Sequence, residues 1–167
     1  MINDNNITNK EFSNGKPPRL SETENTELIL PNDTNLLGNL LGGKLMHWID
    51  LVGAMAASRH SNSIVATAAL DSLDFRHPIR QGEVVILKAK LSWVGNTSME
   101  VIVRAYAENY FNGNTVLTNE AFLTYVALDN NGRPKKVPPL LPETEQEQKD
   151  FAEGEVRRKK RLLERQK

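Results

Sequence analysis

The sequence predicts an α+β domain in which one long helix packs on an antiparallel sheet. Three observations predict it. Residues 40–58 form one apolar run, LLGGKLMHWIDLVGAMAAS, with large side chains at the helical period. Residues 63–128 hold four β-rich stretches, two of them cleanly alternating. The signals between these stretches, Gly95-Asn96-Thr97-Ser98 and Asn112-Gly113, are short hairpin turns, which join antiparallel neighbours.

The elements follow in order. Residues 1–22 are Asn-rich and polar with a Lys-Pro-Pro stretch, which reads as a disordered segment; no apolar core marks a signal peptide. Residues 25–30 make a short first strand, and residues 31–43 a loop dense in turn formers that ends in Gly42-Gly43. The helix spans residues 43–60, where Leu41, Leu45, Trp48, Ile49, Val52 and Ala56 recur at offsets of 4, 7, 8, 11 and 15. Gly53, Ala54, Ala56 and Ala57 thin its later turns so that something can pack closely there. Residues 63–75 are the second strand. In residues 82–94, Val85, Leu87, Ala89, Leu91 and Trp93 share one face, with Lys88, Lys90 and Ser92 on the other. Residues 98–111 alternate through Met99, Val101, Val103, Ala105 and Ala107, and residues 115–128 return as the last strand. Residues 143–167 are highly charged and read as a solvated helix, the cluster from Arg157 to Arg161 included. The chain thus divides into a disordered segment (1–22), a globular domain (23–142) and a charged C-terminal helix (143–167).

Composition narrows the function classes. At 167 residues the chain is one domain with room for a core. With 21 basic and 21 acidic side chains there is no global electrostatic case for nucleic acid. No apolar run reaches membrane-spanning length. Cysteine is absent, which removes disulfides, thiolate catalysis and Cys-type metal sites and fits a cytoplasmic protein. His47 and His60 have no further His or Cys nearby, so no metal site is expected.

Asp50 is the residue out of place. Together with Lys44 it carries the only formal charge of the apolar run 40–58. A carboxylate in a buried element costs several kcal/mol unless paired, hydrogen-bonded or neutral, and catalytic groups often sit in such settings. The competing reading is a narrow polar stripe shared with Lys44 and His47. Just upstream, Gly42-Gly43 lets another group approach the backbone where a helix N-terminus presents unpaired N–H groups and a positive dipole end. Such an end stabilises an oxyanion. It also fits a tight turn into a buried helix. There is no phosphate loop, no dinucleotide fingerprint and no G-x-S-x-G nucleophile elbow.

The blocks P-N-D-T-N-x-x-G-N-x-x-G-G-x-x-M-x-W-I-D, A-S-R-H-S-N-S-I-V-A-T, D-F-x-x-P-I-x-x-G-E and V-G-N-T-S-M-E-V occur in this order. They are followed by F-L-T-Y-V-A-L-D-N-N-G-R-P-K-K-V-P-P-L-L-P-E-T-E. Together, over residues 25–153, they resemble the hotdog-fold acyl-CoA thioesterases, in particular the cytosolic long-chain acyl-CoA hydrolases and their bacterial counterparts. The resemblance implies a sheet wrapped around the helix and hydrolysis of a fatty acyl-CoA thioester. It needs no cofactor, coenzyme A being part of the substrate. It also implies a homodimer with shared sites, grouped three to a hexamer.

The same resemblance places the catalytic asparagine on Asn35 and the catalytic aspartate on Asp50, facing each other from two chains, with Thr67 as a supporting residue. Asp50 is then a general base, or alternatively a nucleophile forming an anhydride, and Asn35 orients water or thioester. Gly43 or its neighbour Gly42 supplies an N–H to the thioester oxygen. Asn39 is the rival to Asn35. Arg59 either meets a CoA phosphate or complements the helix dipole. Thr97 and Ser98 lie in a turn that sits near the nucleotide part of CoA in similar proteins. A non-catalytic acyl-CoA-binding module and a dehydratase are the alternatives. A dehydratase needs a histidine at the helix start, and His47 comes a turn too late.

Overall fold

The computed structural model describes residues 12 and 14–164. Five antiparallel strands form one sheet: β1 (Thr23–Leu28), β2 (Ile64–Phe75), β3 (Val84–Val94), β4 (Ser98–Asn109) and β5 (Asn114–Leu128). Their spatial order is β1-β3-β4-β5-β2, so β1 and β2 are the two edges. Helix α1 (Gly42–Ser61) lies along one face and touches all five strands. This is the expected hotdog arrangement.

The core forms where α1 meets the sheet. Leu45, Trp48, Ile49, Val52, Ala56 and Ala57 pack against Val85, Leu87, Ala89 and Leu91 of β3 and Met99, Val101, Val103 and Ala105 of β4. Ala121, Leu123, Tyr125 and Ala127 of β5 complete it. The alternation in β3 and β4 therefore points inward as the sequence predicts, with one exception. A bulge between Leu91 and Trp93 shifts the register by one residue. A one-residue slip turns a side chain to the opposite face. Trp93 accordingly packs on the outer face, against Gly154.

That outer face is covered by α2 (Glu145–Glu164). Thr144 and Glu147 form a reciprocal cap. The Thr144 hydroxyl accepts from the Glu147 N–H (3.1 Å), and the Glu147 carboxylate accepts from the Thr144 N–H (3.2 Å). Gly154 lets the helix come close, because a Cβ there would lie 2.6 Å from the Trp93 Cβ. The reading of Arg157 to Arg161 as a solvated face is corrected here. Arg157 and Arg161 reach inward to Glu100, and Arg158 stacks over Trp93. Lys159 and Lys160 do face solvent.

Two boundaries also differ from expectation. The β4–β5 hairpin has four loop residues rather than a two-residue Asn-Gly turn, with Gly113 at φ +73°. Much of the expected disordered segment lies outside the described residues, but residues 15–18 and Ser21 are buried. Lys16 is 5% exposed, pairs with Leu140, and donates its ammonium to the Arg59 carbonyl and the Asn62 side chain. A cation on the last carbonyls of a helix satisfies unpaired acceptors and complements the dipole. That local demand holds the polar segment in place.

Candidate active site

Asp50 sits half-buried at the middle of α1. Its Oδ1 accepts the Thr67 hydroxyl at 2.8 Å and the Tyr125 hydroxyl at 3.2 Å. Among the described residues, no donor reaches its Oδ2. Thr67 and Tyr125 are register partners on neighbouring strands, so their side chains stand side by side beneath the helix. The β2 register shifts immediately after Thr67, and bulges commonly re-aim side chains at functional sites.

Sequence reasoning missed Tyr125. The signal was the thinning of α1 at Gly53, since a Cβ there would lie 2.4 Å from the tyrosine oxygen. Burial, and then the charge of Asp50, push the phenol ionisation well up, so the hydroxyl stays protonated and donates.

Asp50, Thr67 and Gly43 share one cleft of about 340 Å³, with His47 on its rim. Its walls are apolar: Met46, Ile49, Leu70, Leu73 and Leu123. Gly43 belongs to the first turn of α1, whose N-cap, Leu41, provides no side-chain cap. The leading N–H groups of that turn are left for another acceptor. No protein atom lies within 4 Å of a Cβ placed on Gly43, so internal packing does not demand glycine there. A Cβ placed on Gly42 would meet the Phe75 ring at 3.7 Å, an ordinary contact. Asp33 braces this helix start. It is 5% exposed, accepts the Leu30 N–H at 3.1 Å, and lies 3.3 Å from the Lys44 ammonium. Lys44 is therefore committed to the loop rather than to Asp50.

Asn35 does not line this cleft within the protomer. It is exposed on the preceding loop, and its side-chain oxygen accepts the N–H groups of Leu37 (2.9 Å) and Asn39 (3.2 Å). This Asx turn spends the carbonyl and leaves the amide N–H₂ as the outward group. The neighbouring Leu36 and Leu37 are 106% and 82% exposed, an arrangement an isolated protomer has no reason to keep. Asn39 bridges Arg80 and lines a separate cleft with Gly42 and Phe75.

The weaker candidates lie elsewhere. Arg59 donates to the Glu22 carbonyl and the Thr23 hydroxyl, each at 3.0 Å, so it ties the end of α1 to β1. It stands roughly 24 Å along the helix from Gly43. Thr97 and Ser98 form the β3–β4 turn, with the Thr97 carbonyl accepting Ala127 N–H at 2.9 Å. Ser98 pairs with Val126 and Val126 with Ala66, which puts the turn two strands across from Thr67. Among the described residues, no three His, Asp or Glu cluster as metal ligands, and no helix is long and apolar enough to cross a membrane.

A half-paired carboxylate in an apolar cleft that extends to an uncapped helix N-terminus is an arrangement suited to acyl transfer to water. The comparisons agree. The thioesterase superfamily model matches residues 37–110. The uncharacterized acyl-CoA thioester hydrolase YkhA of Bacillus subtilis is 44% identical over 127 residues, 76% of this chain and 74% of that protein. An acyl-CoA hydrolase of Staphylococcus aureus, solved with butyryl coenzyme A, coenzyme A and coenzyme A disulfide, superposes with a TM-score of 0.85 at 35% identity. The match covers 90% of this chain and 92% of that one. An apo-hexameric acyl-CoA thioesterase gives a TM-score of 0.86 at 41% identity, covering 89% and 96%. The Staphylococcus enzyme has also been solved with one aspartate, one threonine and one asparagine each replaced singly by alanine. The chain belongs to the acyl-CoA thioester hydrolases of the thioesterase superfamily and is an enzyme that hydrolyses thioesters.

Proposed function

We propose that this enzyme hydrolyses fatty acyl-CoA by direct attack of water, with Asp50 as general base and Asn35 contributed by a partner protomer. The observation that carries the reading is the Asp50 carboxylate, one oxygen held by Thr67 and the other without a donor, in a cleft that reaches the first turn of α1. The thioester carbonyl lies against the backbone N–H of Gly43 or Gly42, where the helix N-terminus stabilises the developing oxyanion. Water attacks the carbonyl carbon while Asp50 takes its proton. The tetrahedral intermediate collapses, the C–S bond breaks, and the proton passes to the departing thiolate. The apolar walls of the cleft take the start of the acyl chain. Neither a metal nor a separate cofactor enters this scheme.

The placement of Asn35 supports the reading of shared sites. It is exposed, flanked by bare leucines, and absent from the cleft of its own chain. Edge strand β2 is equally bare, with Ile64 68% and Phe75 60% exposed, and unpaired sheet edges are normally covered. The reading is a dimer with β2 at its seam, three dimers making a hexamer. The hexameric relative supports it.

Subunit mixing tests this. Co-expressed Asn35→Ala and Asp50→Ala chains pair at random, so about half the dimers are heterodimers with one intact site in two, and activity recovers to roughly a quarter of wild type. Assay is by thiol release from acyl-CoAs of increasing chain length, which also gives the length preference. A mixture shown to contain heterodimers yet no more active than its parents places the whole site in one protomer.

A further inference from the structure

We propose that Tyr125 is a positioning residue for this hydrolysis: its hydroxyl, admitted by Gly53, holds one oxygen of the Asp50 carboxylate so that the other faces the cleft. The proposal rests on Asp50 being the base. Tyr125 is fully buried and heads the core by volume, yet its phenol has both acceptors on one residue. It lies 3.0 Å from the Asp50 carbonyl oxygen and 3.2 Å from Oδ1, sharing one proton between them. A ring needed only as filler would serve as phenylalanine and would spare the helix a glycine. Gly53 sits almost one turn after Asp50, a position where glycine weakens a helix relative to alanine. A Cβ there would stand 2.4 Å from the phenol oxygen and 3.1 Å from the carbon bearing it. Helix and sheet are thus both adapted to bring a neutral donor to Asp50.

The donor complements Thr67. Two hydroxyls on Oδ1 fix the carboxylate plane from two strands. The other titratable group lining the cleft is His47, almost one turn before Asp50 on the same helix. Lys44 is held by Asp33, and the remaining lining from β2, β5 and α1 is apolar apart from Thr67 and Gly43.

The test is Tyr125→Phe, which keeps the buried ring. Hydrogen bonds to charged groups imply a kcat loss of about 10-fold or more at neutral pH, with KM little changed. The loss is expressed per folded molecule, counted by near-UV circular dichroism, so partial misfolding does not mimic it. In an Asp50→Asn background, adding Tyr125→Phe costs little further, since the tyrosine acts through Asp50. Wild-type kcat per folded molecule in Tyr125→Phe overturns the proposal and leaves Asp50 as base. A tyrosine effect undiminished in the Asp50→Asn background also overturns it. Wild-type activity in Asp50→Asn alone removes the base reading itself, and this proposal with it.

Discussion

Two carboxylates lie on opposite faces of the same sheet, and they are treated differently. Glu100, on the outer face, is fully buried and saturated. Ser92 donates to it at 2.7 Å, Arg157 grips it with contacts of 2.8 and 3.1 Å, and Arg161 lies at 3.3 Å. The Arg157 guanidinium also stacks on Phe122 at 3.9 Å. Asp50, on the inner face, is half-exposed and has only neutral hydroxyl donors, both on one oxygen. A carboxylate gripped by two guanidiniums has both oxygens committed to charge-assisted bonds, so it serves as a clamp. A carboxylate held by neutral donors on one oxygen leaves the other open to whatever enters the cleft. Carboxylate burial by itself therefore does not mark a candidate site; the kind and number of its partners do.

Three substitutions break or sharpen this contrast. The largest effect falls on Asp50→Asn, which is nearly isosteric. Thiol release from acyl-CoA should drop by at least roughly 10²-fold, while circular dichroism and thermal unfolding stay close to wild type. Unaltered kcat in the folded variant moves the base elsewhere.

Glu100→Gln should show the reverse. Arg157 loses its buried charged partner and Arg161 keeps only Asp71, and stability should fall by about 2 to 3 kcal/mol in denaturant titrations, with activity per folded molecule held near wild type. A stability-neutral change would show that α2 is held by Trp93 and Gly154 packing rather than by the carboxylate.

The smallest effect concerns His60, a third buried ionisable group. Its Nε2 pairs with the Pro138 carbonyl at 2.9 Å, and its Nδ1 has no partner among the described residues. Burial, then the nearby Lys16 charge, outweigh that carbonyl and hold its pKa below the usual 6.5. Below pH 6.5 the unfolded chain binds a proton that the folded chain refuses. His60 thus costs stability as pH falls toward its depressed folded value, by at most about 1.4 kcal/mol per pH unit. His60→Asn should flatten this slope between pH 7 and 5. An identical slope in the variant would assign the acid sensitivity to other groups.

The sequence by itself determined the helix, the five strands and their alternation, because those depend on local period and turn chemistry. It also brought out Asp50, a charge on an apolar helix, and through family resemblance Thr67 and the Gly42-Gly43 start. The tertiary structure decided what depends on contacts between distant residues. Tyr125 reads as an ordinary core aromatic until Gly53, 72 positions earlier, is seen beneath its hydroxyl. Trp93 reads as an inward residue until a bulge, which leaves no periodic trace, turns it onto α2. Arg157 and Arg161 read as solvated until Gly154 brings their helix down onto Glu100. The stretch around Lys16 reads as disordered because its reason to be ordered, the open end of α1, lies 43 residues away. Local periodicity fixes which face a residue prefers; only the packed chain decides which partner waits there.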